Sequence, residues 1–369
     1  MTVGKSAAVK KLLAGLLKVR DGNVAASELY NVLLEDDYGR IASCKVQDAM
    51  ETGASPAEAV FLQWLNMAGV TSAAVRPLIE AGHLVLPRQL DPRDYLSNPF
   101  MSRVKPKAST QDGYSLETNY YEAFEPFLFD STRAFAKDLY VEHNNMGFFS
   151  SSFPYLELVK DNVVWMSITP YEINTMKTPL AHATGKVLTF GLGLGYFAFM
   201  AAQKTEVISV DVVENDPRII GIFEKYLRPL FPMGSKIRIV PTDALAFASQ
   251  KDSLAGYDFC FADLWHGAED GLELYAKLCK AAAEAGQKHF DYWIEDSILC
   301  HSRRLALALL EEQNRGLGPE NYAEAHNAED RAINGFYDLT VPVNLTHCRD
   351  ILSFIADDGL RGLIFGSKN

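Results

Sequence analysis

The stretch from Lys186 to Glu214, KVLTFGLGLGYFAFMAAQKTEVISVDVVE, constrains this chain more than any other. Lys186 to Phe190 is a short β-favouring run. Gly191-Leu192-Gly193-Leu194-Gly195 follows as a turn in which the backbone can come close to a ligand. Tyr196 to Gln203 continues as an apolar helix whose N-terminus faces that turn. Val207 to Val213 is largely β-branched, as a strand covered on both faces is, and it closes on Glu214. Strand, glycine turn, helix and strand make a βαβ unit. A carboxylate at the end of its second strand is where such a unit holds the two hydroxyls of a ribose, so the stretch predicts a nucleoside ligand.

The glycine spacing narrows the choice. The dinucleotide fingerprint G-x-G-x-x-G sets a pyrophosphate over a helix N-terminus. Here the glycines run G-x-G-x-G, and Tyr196 stands where the third dinucleotide glycine would be. Downstream, Asn215-Asp216-Pro217 is a helix start, with a capping side chain and then proline in the first turn. Lys236 to Val240, Tyr257 to Ala262 and His289 to Ile294 predict a third, fourth and fifth strand. They are followed by Thr242-Asp243-Ala244, Asp263-Leu264-Trp265-His266 and Glu295-Asp296. Strands alternating with helices imply a parallel sheet, whose ligands sit outside the carboxyl ends of the strands, where these acids fall.

Turn, Glu214, Asp243 and Asp263 at successive strand ends resemble the class I S-adenosyl-L-methionine (SAM) dependent methyltransferases, over residues 180–300 and more loosely beyond. The resemblance implies an α/β fold, a Rossmann-like, mostly parallel sheet with helices on both faces. It implies SAM as cofactor. Gly191, Gly193 and Gly195 would lie against the amino-acid end of SAM, Glu214 would hold the ribose, and Asp243 with Ala244 would lie by the adenine. Asp263 would be the substrate-facing acid. One departure stands out: two positions before the first glycine, where the family carries an acid that supports the methionine part, this chain has Thr189.

Upstream, residues 1–95 are rich in Ala, Leu and Glu and predict a helical N-terminal domain. Ser55-Pro56-Ala57-Glu58 is a capping box opening an apolar helix, where Phe61 and Trp64 read as core. Residues 96–146, with Pro99, Pro106 and scattered serines, read as linker and connection. Residues 147–180 predict a small β-hairpin, Phe153 to Val159 and Val163 to Ile168 around Lys160-Asp161-Asn162. Thr169-Pro170-Tyr171-Glu172 then reads as a second capping box that starts a gate helix. Hairpin and capped helix before the glycine turn resemble spermidine synthases and related aminopropyltransferases, which use decarboxylated SAM. Their glycine-turn aspartate is Leu194 here, and their Tyr-His-Glu is Ile173-Asn174-Thr175. Residues 181–369 are the expected Rossmann-like catalytic domain.

Bulk composition suits a soluble enzyme, with 48% hydrophobic and 22% charged residues. Five scattered cysteines without C-x-x-C spacing predict a cytoplasmic location and neither a disulfide framework nor a metal site. The apolar run Val187 to Ala202 is too short and glycine-rich for a membrane span. A net charge of −12 and no basic cluster disfavour a nucleic-acid partner and fit a small-molecule substrate. The sequence leaves the oligomeric state open, a homo-oligomer included.

For chemistry, methyl transfer from a sulfonium is an in-line displacement that needs alignment above all, and a base where the acceptor must lose a proton. Asp263 and His266 are the catalytic candidates, His266 because its ordinary pKa lies near neutrality. Trp165, Tyr171 and Trp265 are candidates for the wall or lid of the substrate site. Glu295 and Asp296 are weaker candidates, and His301 with Arg303 and Arg304 reads as a solvated helix start. The expected activity is methyl transfer to a small molecule. Aminopropyl transfer, an NAD-dependent oxidoreductase and a non-catalytic SAM-binding scaffold are the rivals.

Overall fold

The computed structural model describes residues 2–35, 41, 43–316, 334–336 and 343–364. Four helices open the chain: α1 (Ala7–Glu35), α2 (Ser43–Glu51), α3 (Pro56–Met67) and α4 (Ser72–Glu80). On α1, Val9, Leu13, Leu16, Ala26, Leu29 and Leu33 are buried, a spacing that makes one stripe along a helix. The first half of that stripe joins the core of the parallel sheet, and the second half packs with Val60, Phe61, Trp64 and Leu65 of α3. The capping box forms as expected, with Glu58 reaching back to the Ser55 amide at 2.8 Å. Trp64 is fully buried and donates its indole N–H to the Phe124 carbonyl at 2.8 Å, so it is core.

Much of 96–146 is sheet, not linker. Strands β1 (Tyr114–Tyr121), β2 (Phe127–Ala134) and β3 (Glu142–Phe148) precede the hairpin β4 (Phe153–Lys160) and β5 (Val163–Ile168). The hairpin turns on Asp161 and Asn162, both with positive φ (51° and 63°), the hand that matches strand twist. It is half of a larger unit. β1 pairs antiparallel with β4 along its whole length, and Ser109–Gln111 adds an outer strand. β3 lies between β2 and the short strand Arg88–Gln89 in a second sheet. The prolines and serines upstream hid this, because only Tyr114 and Leu116 of β1 are buried and the rest of YSLETNYY is polar or exposed.

The gate helix α5 (Pro170–Thr175) leads into β6 (Gly185–Phe190), α6 (Tyr196–Ala202), β7 (Val207–Glu214), α7 (Pro217–Ile222) and β8 (Ile237–Pro241). Then come β9 (Phe259–Ala262), α8 (Ala268–Glu284), β10 (Phe290–Tyr292) and α9 (Glu295–Asn314). The five strands form one all-parallel, Rossmann-like sheet in the order β8-β7-β6-β9-β10. With the first strand central, the order reverses between β6 and β9, which opens a crevice at their carboxyl ends. Each expected strand is present, with ends moved by a residue or two. Among the described residues no helix is long and apolar enough to cross a membrane.

His301, Arg303 and Arg304 are not a helix start. They lie within α9, which begins earlier, at Glu295 and Asp296, where acids suit the positive end of the helix dipole. Arg303 is buried, its guanidinium 4.3 Å from the Tyr140 ring and its Nε donating to the Ile355 carbonyl at 2.8 Å. Arg304 forms an ion pair with buried Glu142 of β3 and donates to Ser27 of α1 at 2.6 Å. This pair fastens α9 to β3 and α1 of the N-terminal half.

Removing one member of a buried pair is costly when it strands the other charge. Glu142 is the buried member and Arg304 is partly exposed. Arg304→Ala should therefore lower the unfolding free energy by about 3 kcal/mol in urea denaturation, and Glu142→Leu by distinctly less.

Candidate functional site

A cleft of about 610 Å³ lies at the carboxyl ends of β6, β7, β8 and β9, and β5 of the hairpin walls its open side. Its size is that of a small-molecule pocket. The glycine turn forms its floor. Gly191 has a φ of +95°, and a Cβ there would lie 2.0 Å from the Asp263 carbonyl oxygen, so only glycine fits between the ends of β6 and β9. Gly193 is covered by Met166 of β5, whose methyl would lie 2.3 Å from a Cβ at that position, so the hairpin closes directly over the turn. Gly195, also in the left-handed region, is the residue before α6.

Glu214 ends β7 and faces the cleft. Its two carboxylate oxygens accept the Leu192 amide at 3.2 Å and the Asp216 amide at 2.8 Å. A carboxylate has about four acceptor sites, so Glu214 is fixed in place and retains capacity for two hydroxyls. Asp243 and Ala244 also line the cleft. Asp243 caps the short helix Ala244–Ala248 by accepting the Ala246 amide at 2.8 Å. Arg218 and Asp216, which pair with each other, lie beside Glu214 at the same end, and Tyr114 donates to Asp216 at 3.2 Å.

The candidates for substrate contacts divide. Asp263, Trp265 and His266 follow β9 and all line the cleft. His266 is exposed at the rim, its ring edge-on to Trp165 at 5.3 Å and its Nδ1 3.4 Å from Asp270. Trp165 is part-exposed on β5, with the Lys160 ammonium 4.7 Å from its ring centroid. Trp265 is buried, and its indole N–H is committed to the Trp293 carbonyl at 3.2 Å, so it is a fixed wall and not a mobile contact. Tyr171 does not reach the cleft. Its ring packs edge-on against Trp293 at 6.0 Å, because α5 turns that face towards β10. Glu295 binds Tyr275 at 2.6 Å and pairs with Arg361, and Asp296 pairs with Arg133, so both face away from the site.

The neighbour of Tyr171 takes its place. Glu172 lines the cleft together with Asp263, and the Thr169 side chain makes no capping bond, so the second capping box does not form. The pattern T-x-x-E had accounted for Glu172 and hidden it. Both residues are half-buried in the lining of the cleft. Burial pushes the Asp263 carboxyl up to about 7. Burial first, and then the Asp263 charge, push Glu172 well above the usual carboxylate range. The charge on Asp263 thus makes the ionisation of Glu172 harder, so the two carboxyls do not titrate independently. Thr189 is buried behind them with its hydroxyl unpartnered. Trp293, also missed in the sequence, donates its indole N–H to Thr175 at 2.9 Å and completes the wall.

No protein-family model matches this chain, and no curated protein matches it. The functional reading therefore rests on the residues and their arrangement.

A carboxyl raised on folding destabilises the folded state as pH climbs, because the unfolded chain releases its proton first. The cost of Asp263 should accumulate from the ordinary carboxylate range up to about pH 7 and stay constant above it. Asp263→Asn should thus stabilise the protein at pH 8 by at least about 1 kcal/mol, and by much less at pH 4.5, in thermal unfolding at the two pH values. An equal effect at both would mean that Asp263 is not buried as a charge.

Proposed function

We propose that the chain is a SAM-dependent transferase of the methyltransferase type acting on a small molecule. One observation carries this reading: Glu214, pinned by two backbone amides at the end of the second strand, keeps free acceptor capacity facing the crevice. The residues present fit a nucleoside sulfonium. The turn at Gly191 admits close backbone approach, Glu214 can take the ribose hydroxyls, and Asp243 with Ala244 stands beyond Glu214 for the base. The turn carries Tyr196 where the dinucleotide fingerprint has its third glycine, which tells against a dinucleotide.

When bound, SAM supplies an electrophilic methyl group on sulfur. The chain's part is to align the acceptor in line with that bond, to exclude water and to take a proton. β5 lies over the turn, with Met166 against Gly193, and would cover the bound donor. Trp265 and Trp293, locked to each other by the indole hydrogen bond, hold the Asp263 loop in one conformation. Asp263, with a pKa near 7, is poised to accept a proton at its carboxylate from an acceptor at neutral pH. His266 lies at the rim, where it can pass that proton to solvent.

Aminopropyl transfer is the second reading. Two facing carboxyls in the cleft favour a donor that carries an ammonium without a carboxylate, which is what decarboxylated SAM presents. Turnover with the two donors separates the readings.

Glu214→Ala should weaken binding of S-adenosylhomocysteine by about a hundredfold in calorimetric titration, with the thermal transition retained. Unchanged affinity would remove the ribose assignment.

A further inference from the structure

We propose that Trp293 is a positioning residue: it sets the rotation of the gate helix α5, so that Glu172 and not Tyr171 meets the cleft. This goes beyond the nucleoside reading and does not depend on it.

α5 has six residues and no side-chain bond at its N-terminal cap, so little within the helix fixes how it is turned. Successive helical residues stand about 100° apart, so Tyr171 and Thr175 share one side, one turn apart, and Glu172 lies well round from Tyr171. Trp293 holds both residues of the shared side. Its indole N–H donates to Thr175 Oγ1 at 2.9 Å, and the Tyr171 ring packs edge-on against the indole at 6.0 Å. The Thr175 hydroxyl in turn donates to the Tyr171 carbonyl at 2.8 Å, which ties that side chain to its own helical turn. Asn174 donates to the Phe129 carbonyl of β2 at 2.7 Å and to the Tyr95 hydroxyl at 3.0 Å, and Ile173 is buried in the core. With those sides taken, the side that carries Glu172 is left to the cleft.

Trp293 can act as an anchor because its own place is over-determined. It is 5% exposed, its amide donates to the Ala262 carbonyl at 2.8 Å, and its carbonyl accepts the Trp265 indole N–H at 3.2 Å. The next residue, Ile294, has a φ of +47°, a costly conformation for a β-branched side chain. Among the described residues it is the one β-branched residue with a positive φ. Such strain persists where the surroundings enforce it, and here it falls where the chain turns from β10 into α9 with Trp293 in the cleft wall. Trp265 belongs to the segment that carries Asp263. Trp293 therefore contacts both the helix that bears Glu172 and the segment that bears Asp263.

The ionisation of Glu172 reports how the helix is turned. Burial and then the charge on Asp263 oppose it. The other ionisable groups that feel Glu172 are the hydroxyls of Tyr121, Tyr171 and Tyr196, which burial keeps protonated.

The test is NMR titration of the side-chain carboxyls in ligand-free wild type, Thr175→Val, Thr175→Ser and Trp293→Phe, with a thermal unfolding curve for each. Thr175→Val is nearly isosteric and leaves the buried indole N–H without its acceptor, which releases α5 on that side. The Glu172 midpoint, raised in wild type, should fall by about one pH unit or more in Thr175→Val and in Trp293→Phe. Thr175→Ser keeps the hydroxyl and should keep the wild-type midpoint. Asp263 should stay near pH 7 in Thr175→Val, since the bond from Trp265 goes to the Trp293 backbone carbonyl. A bond that matters for stability alone would lower the thermal transition and leave the Glu172 midpoint in place, and that result overturns the proposal. So does a Glu172 that is not raised in wild type, a Thr175→Ser titration that follows Thr175→Val, or an Asp263 midpoint that falls together with that of Glu172. If Trp293→Phe does not fold, the Thr175 variants decide alone. Failure of SAM to bind would count against the nucleoside reading and leave these titrations unaffected.

Discussion

The main chain of Asp263 passes so close to Gly191 that a side chain at position 191 would meet the Asp263 carbonyl oxygen at 2.0 Å. That contact joins the carboxyl ends of β6 and β9, the two strands between which the sheet order reverses. Everything that lines the cleft is referred to it. On one side it sets the path of the glycine turn, and so the position of the Leu192 amide that holds Glu214 at 3.2 Å. On the other it sets where the Asp263 side chain leaves the sheet. The substitution of any other residue at 191 would have to separate the strands or re-route the turn.

The second organising feature is the partial burial of two carboxyls in one cleft. A carboxyl at the mouth of a parallel sheet is ordinarily wet. Here the hairpin lies over the strand ends with Met166 on Gly193, and α5 brings a second carboxyl to face the first. Burial at this place raises the pKa of Asp263 to about 7. The raised carboxyls cost folding free energy at neutral pH. The remainder of the fold offsets that cost with ordinary means: the α1 stripe spanning both cores and the fully buried aromatic groups around the sheet.

The parallel sheet was legible because its signals are local. β-branched runs, a glycine turn and acids at strand ends can be read within a short window, and β6 to β10 fall where they were expected. The antiparallel strands β1 to β3 were not, since their burial comes from partners distant in sequence, as with Tyr114 opposite Lys160. At the site, Glu214, Asp243 and Asp263 could be foreseen as groups at strand ends. Glu172 could not, because T-P-Y-E satisfies a local capping pattern that the folded chain does not use. The same pattern at Ser55 does form, and only tertiary placement tells the two apart. Tyr171 and Glu172 are adjacent, so a small rotation of one helix turn decides which of them meets the cleft. Sequence spacing does not fix that rotation.

Titrating folded, ligand-free protein with SAM in a calorimeter tests the nucleoside site most directly. One saturable site, with NAD failing to bind or to compete, is the expected result. No binding of SAM or of its decarboxylated form by protein that melts cooperatively would contradict the assignment of the crevice to a sulfonium nucleoside.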